Sequence, residues 1–297
     1  MGFRLKKNEG ASAGIRRIAR EEIDQTIELL ENTKGDPAET VHELRKRFKR
    51  IRAVVRLVRD ELGENVYRRE NGALRELGRR LSPARDAAVR VSALDRLQKK
   101  DGLSKKSVAP VRKRLVIRHG AAVRRIRRAA TVSAIARDLR RLRRRVRAWP
   151  LTKPGFTCLE PGLRRSYRDG RRGETDAYAT QTDEAFHEWR KRAKDLRYHV
   201  QLLEPAWPEL MKDMEQSLHD LTDRLGDDHD LADLRRTLTG SRGPVTSAGV
   251  VDRVVDRVAH RRSQLQGDAR PIAARIYAEK PKVFSARIQS YWEAWRS

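Results

Sequence analysis

Cysteine is almost missing from this chain: Cys158 stands alone among 297 residues. An internal disulfide is therefore impossible, and the chain suits a reducing compartment. No run of about 20 apolar residues exists to span a bilayer. The opening MGFRLKKNEG lacks the apolar stretch of a secretion signal. We expect a soluble, cytoplasmic protein with no membrane partner. Aromatic residues make up 5% of the chain, too few for the stacking platforms that usually hold single-stranded nucleic acid. Alternation with period two is also lacking, which argues against strands. Acids are in deficit, with 41 Asp and Glu against 68 Lys and Arg.

What remains is cationic and periodic. The formal net charge is +27 and the sequence pI is near 11. Hydrophobic residues form 38% of the chain, mostly in helical runs, so the charge decorates a folded surface and not a disordered tail. Such an excess implies a polyanion as partner: nucleic acid, an anionic surface or a phosphate polymer. Binding should weaken steeply with salt, as phosphate contacts to DNA do.

Apolar spacings of three and four predict helices at about 13–33, 38–61, 64–81, 84–99, 104–128 and 131–148. A second series follows at about 159–173, 181–204, 206–225, 228–239, 247–266 and 269–295. Asp36-Pro37, Ser82-Pro83, Asp101-Gly102 and Gly240 to Pro244 read as breaks, and Pro271 and Pro281 as divisions of the last segment. Residues 1–11 read as a flexible start, 12–150 as one unit, 151–158 as a linker and 159–297 as a second unit.

The two units look like copies. VHELRKRFKRIRAVVRLV from Val41 aligns without a gap on FHEWRKRAKDLRYHVQLL from Phe186, 145 positions later, with nine identities. Gly14-Ile15-Arg16-Arg17 with Arg20 matches Gly162-Leu163-Arg164-Arg165 with Arg168. Leu74, Leu77, Arg80, Leu81 and Asp86 match Leu218, Leu221, Arg224, Leu225 and Asp230. Ordered repeats predict an all-α fold: two homologous antiparallel helical bundles about a pseudo-two-fold axis, with a basic groove or pore between them.

Within each repeated helix the faces divide. Val41, Leu44, Phe48, Ile51, Val55 and Val58 form a buried seam, as do Phe186, Trp189, Ala193, Leu196, Val200 and Leu203. An adjoining face carries His42, Arg45, Lys46, Lys49, Arg52 and Arg56, and in the second copy His187, Arg190, Lys191, Lys194 and Arg197. Solvated faces usually mix signs at i,i+4. Here cation follows cation, a repulsion that an anion lying along the stripe would relieve.

This order of histidine and spaced cations, written twice with Arg85-Asp86 and His229-Asp230 downstream, resembles the CHAD family, the conserved histidine α-helical domain. The resemblance implies two pseudo-symmetric helical bundles around a basic cavity that binds inorganic polyphosphate. By it, the cations named above, with Arg16, Arg17, Arg20, Arg164, Arg165 and Arg168, would contact phosphate oxygens. The Glu-x-Glu-x-Lys signature of the triphosphatase domain that precedes some members is missing, so we expect binding without catalysis, possible residence on polyphosphate granules, and no cofactor. The alternative is a nucleic-acid-binding protein; Asn and Gln, which read base edges, are nearly absent from the stripe.

Three features stay beside that reading. A histidine facing a polyanion protonates more readily, so His42 and His187 are expected to tighten binding at pH 6 relative to pH 8. Gly226-Asp227-Asp228-His229-Asp230 reads as a helix N-terminus, where Asp caps free amides, in preference to a metal site. The arginines Arg137, Arg140, Arg141, Arg144, Arg145 and Arg147, and the row Arg253, Arg257 and Arg261, could extend the anion surface or be solvated.

Overall fold

The computed structural model describes residues 2–32, 37–101, 104–126, 129–240 and 248–297. The breaks expected at Asp36, Gly102 and 241–244 lie outside these residues. Ten α-helices carry the described chain: α1 (Ala11–Glu31), α2 (Pro37–Leu57), α3 (Arg59–Asp101), α4 (Lys105–Ile126), α5 (Ala129–Val146), α6 (Glu160–Thr180), α7 (Asp183–Leu203), α8 (Pro208–Thr239), α9 (Ala248–Ile276) and α10 (Pro281–Arg296). No strand occurs among the described residues.

Both seams are buried. From Val41 to Val58 and from Phe186 to Leu203, every seam residue is 4% exposed or less. α1 lies against α2 and α5, α2 against α3, and α6 to α9 pack in series, with α10 on α6. Contacts of α2 with α7 and of α3 with α8 join the first half to the second. One hydrophobic core runs from Phe3 to Trp292 across both halves. A smaller cluster of Leu94, Leu97, Val111, Leu234 and Val258 ties α3, α4, α8 and α9 together.

Several breaks are absent. α3 runs through Ser82-Pro83, α8 through Gly226 and α9 through Pro271. A proline in a helix leaves the carbonyl four residues before it, here that of Arg79, without its amide donor, and the adjacent Gly78 carbonyl is an anchor for two side chains. Arg45 Nη1 donates to the Gly78 carbonyl at 2.9 Å, and Ser82 Oγ does so at 3.2 Å. Pro281 behaves as expected and opens α10. The acidic cluster is therefore mid-helix, not an N-terminus. Asp228 is buried on Arg262 at 2.9 Å and on Gln266 at 2.9 Å, and Arg262 also meets Asp183 at 2.7 Å.

The start is no free tail. Phe3 and Leu5 are buried, and the Leu5 amide donates to the Leu202 carbonyl at 3.0 Å. The expected linker is packed too, with Leu151, Phe156 and Cys158 in the core and a 3₁₀ turn at Gly155–Cys158.

Candidate phosphate-binding site

α2 and α7 bring their basic faces to one place. Lys49 has Lys194, Arg190, Arg45 and Arg85 as its charged neighbours, and burial followed by these like charges drives its pKa well below the ordinary lysine value. Lys194 is pushed down to about 7 by burial and then by Arg190, with Asp223 and Asp230 opposing. Arg190 is also deep, and its Nε finds no protein partner. Unpaired charges in a low-dielectric site are costly. A resident anion would remove that cost.

Local structure fixes the two central arginines. Arg45 rests on the turn before Pro83 through Gly78 and Ser82. Arg190 lies flat on α8 over Gly226, its Nε and Nη2 3.5 Å from where a Cβ would stand. Asp86 faces Arg45, and Asp230 faces Arg190 and Arg85. Burial raises both carboxyls while those arginines pull them down. Beside the cluster, an open cleft of about 530 Å³ runs between α2 and α3, lined by Arg45, Phe48, Lys49, Arg52, Arg75 and Arg79 together with Glu76, which pairs with Arg79 at 2.9 and 3.0 Å.

The histidines flank the cations. His42 is exposed, and partial loss of water followed by Arg85 lowers its pKa. His187 stacks on His229 with ring centroids 4.2 Å apart. Burial, then neighbouring cations, hold His187 at about 4. His229 falls to about 3 through burial and His187. Both are neutral near pH 7. Among the described residues no group of three or more His, Cys, Asp or Glu side chains is arranged to hold a metal ion.

Other expected contacts are spent inside the fold. Arg16 donates to the carbonyls of Trp149 at 2.7 Å and Leu151 at 3.2 Å. Arg17 pairs with Glu9 and Glu21, and part-buried Arg20 leaves its Nε without a protein partner. Arg164 reaches Glu160, Arg165 reaches Asp60, and Arg168 reaches Asp169. Arg56 is held by both oxygens of Asp195 at 2.6 and 2.7 Å, and Arg197 by Glu215 at 2.6 Å. Arg52 donates to Asn71 at 3.1 Å and still lines the cleft. Lys46 and Lys191 stand at the rim, each beside a glutamate three residues before it.

Sequence reasoning left Arg85, Arg75 and Arg79 out of the site. Arg85 was within reach, because Arg85-Asp86 recurs as His229-Asp230. Arg75 and Arg79 carry no such signal; only the packing of α3 on α2 reveals them. The arginine run on α5 is largely paired: Arg140 with Glu31, Arg143 with Asp24, Arg145 with Glu70 and Arg141 with Asp138, while Arg137, Arg144 and Arg147 are exposed. Arg253 and Arg257 are also exposed, and Arg261 bonds Gln264.

No helix among the described residues is long and apolar enough to cross a membrane. No curated protein matches the sequence. Several solved chains share the fold, and two of them illustrate it. The CHAD domain from the plant Ricinus communis matches with a TM-score of 0.65 at 19% identity, covering 93% of this chain and 94% of its own. PptA from Streptomyces chartreusis matches with a TM-score of 0.57 at 16% identity, covering 91% and 100%. The CHAD domain family model matches residues 17–239. With a core, helix order and basic cluster of this kind, the chain belongs to the CHAD domain family.

Proposed function

We propose that this chain binds inorganic polyphosphate, without chemistry, along a basic strip where two pseudo-two-fold-related repeats converge. One observation carries the reading: Lys49 beside Lys194, Arg45 beside Arg190, and Arg85 in the same cluster. A linear chain of phosphates without bases asks for closely spaced cations and little else. The strip offers that. Phe48, which lines the cleft, and Tyr198, which packs against Phe3, are both buried, so neither offers an open ring on which a base could stack. The family as a whole is linked to polyphosphate and triphosphate binding, and residence on polyphosphate granules follows from the same reading.

The test is Lys49→Glu with Lys194→Glu. The carboxylate at 49 would sit among Arg45, Arg85 and Arg190 and that at 194 beside Arg190 and Arg197, so the fold should melt no lower than the parent. Polyphosphate affinity near 150 mM salt should fall at least about 100-fold, the scale expected from losing two charge-assisted contacts and adding repulsion. Retained affinity would overturn the site. Long-chain polyphosphate should displace duplex DNA at equal phosphate concentration; the reverse order would favour a nucleic-acid ligand. Phosphate released from polyphosphate with Mg²⁺ would overturn the non-enzymatic reading.

A further inference from the structure

The two flanks of the lysine pair carry opposite charge. Counting from Leu74 and Leu218, which match in the sequence repeat, Asn71 stands where the second copy has Glu215. Likewise Arg75 answers to His219, Glu76 to Asp220 and Arg79 to Asp223. Contacts keep this register in both copies. Arg52 donates to Asn71 at 3.1 Å, and its match Arg197 donates to Glu215 at 2.6 Å. Arg45 reaches Ser82, and its match Arg190 lies over Gly226, the position that answers to Ser82.

On the α2–α3 flank, Arg52 is anchored by a neutral amide, so its charge is not cancelled, and Arg75 adds a second that repels it. Arg79 is cancelled by Glu76. Three cations against one acid leave a formal +2. On the α7–α8 flank, Arg197 is cancelled by Glu215, and His219 Nδ1 stands 3.1 Å from Asp223. Asp220 accepts from the Gln216 amide at 2.9 Å, which leaves its charge in place. One arginine against three acids leaves a formal −2, and a proton on His219 would still leave −1. Asp223 acts on both Lys194 and Arg190, whereas the charged neighbours of Lys49 are cations.

A polyanion lying on the lysine pair therefore meets attraction along one flank and repulsion along the other. An interior stretch of polymer runs both ways from any bound phosphate and would carry its charge past Asp220 and Asp223. A chain end does not. Its terminal phosphoryl group also has the second ionisation that interior links lack, which suits the deep cations Lys49, Lys194 and Arg190.

We propose that the strip holds polyphosphate by one end: the terminal phosphoryl group sits between Lys49 and Lys194, and the chain leaves past Arg52 and Arg75 along the α2–α3 flank. End binding rests on the function proposed above and adds which part of the polymer is held, and in which direction.

The experiment compares, near 150 mM salt, long-chain polyphosphate with free ends and the same polymer esterified at both ends with a neutral alkyl group. The parent should bind the capped polymer at least about tenfold more weakly, the scale of one lost charged hydrogen bond. On free-ended polymer it should saturate at one copy per chain end, for short and long chains alike. Glu215→Asn with His219→Arg and Asp223→Arg writes the first flank onto the second. That triple variant should bind capped and free-ended polymer equally and load more copies as chains lengthen. Equal binding of both polymers by the parent, or a copy number that grows with chain length, overturns end binding. The parent comparison needs no substitution, so it decides even if the triple variant does not fold. A folded triple variant that still prefers free ends overturns the role given to the second flank. Lys49→Glu/Lys194→Glu keeps the two readings apart. If it loses affinity while the parent ignores the caps, the strip is the site and end binding fails. If it keeps both affinity and the preference for free ends, the strip fails as the site and end binding there fails with it.

Discussion

Lys194 carries its amine into a site where Arg190, Arg197 and Lys49 already stand, and its pKa falls to about 7. The free protein therefore sheds this proton near neutrality, whereas a bound polyanion favours the charged form. Binding must then take up a proton at pH values above about 7. Affinity should fall as pH rises from 7 to 9, by up to about tenfold per pH unit for each proton taken up. The histidines do not supply this window, since His187 at about 4 and His229 at about 3 are already neutral at pH 6. The histidine-driven gain expected from sequence is thus reassigned to lysine, because sequence shows which residues are near but not how much water they lose. Lys194→Arg, which stays charged, should flatten the pH profile; His42→Ala with His187→Ala should leave its slope above pH 7. An unchanged slope in Lys194→Arg would refute the assignment. The same depressed pKa has a stability consequence. Between about 7 and the ordinary lysine value the unfolded chain binds more protons, so the free fold should gain stability as pH rises through that window. Lys194→Met should stabilise the free protein by roughly 1–2 kcal/mol in thermal melts at pH 7 while weakening polyphosphate binding. A lower melting temperature would contradict the cost assigned to that charge.

Helices were the most legible elements, and their joints the least. The seams of α2 and α7 could be read from spacing because apolar residues three and four apart must share a face. The breaks expected at Pro83, between 225 and 228, and at Pro271 failed because local propensity is a weak signal that tertiary context overrides. Arg45 anchors on the Gly78 carbonyl in the turn before Pro83, and Gly226 is a seat for Arg190. The shared patch of α2 and α7 was expected from duplication, but the role of α3 in the cleft needed coordinates. Glycines test this difference between local and tertiary control. Gly162→Ala forces a Cβ onto the Leu57 carbonyl and should cost at least about 1–3 kcal/mol, the usual range for overpacking. Gly267, inside α9 with nothing within 4 Å of its added Cβ, should gain up to about 1 kcal/mol as Ala through helix propensity. Paired melts of the two variants should therefore move in opposite directions. If Gly162→Ala matches the parent, α6 does not depend on that close approach.

At the scale of the whole molecule, and on the function proposed above, the cations behind the +27 charge fall into three groups: those that would hold a ligand, those consumed by ion pairs and those that would draw a ligand in. Those of the first kind are few and desolvated: Lys49, Lys194, Arg45, Arg85 and Arg190. Many others are consumed by ion pairs such as Arg90 with Asp233 and Arg287 with Glu279. A third group, including Arg137, Arg144 and Arg147, is exposed and contributes to the field around the protein. Long-range fields act on encounter, whereas desolvated contacts set how long a complex lasts. Neutralising Arg137, Arg144 and Arg147 to Gln should therefore slow polyphosphate association severalfold at low ionic strength and leave dissociation within about twofold. Because exposed charges are screened over about 8–10 Å near physiological salt, the difference in association should shrink as salt approaches 150 mM. Lys49→Gln should do the reverse, speeding dissociation at every salt concentration with little change in association. Stopped-flow or surface-based kinetics across a salt series separates the two. Equal effects of both variants on dissociation would mean that polyphosphate is held by diffuse charge over the whole surface, and the strip between α2 and α7 would lose its special place.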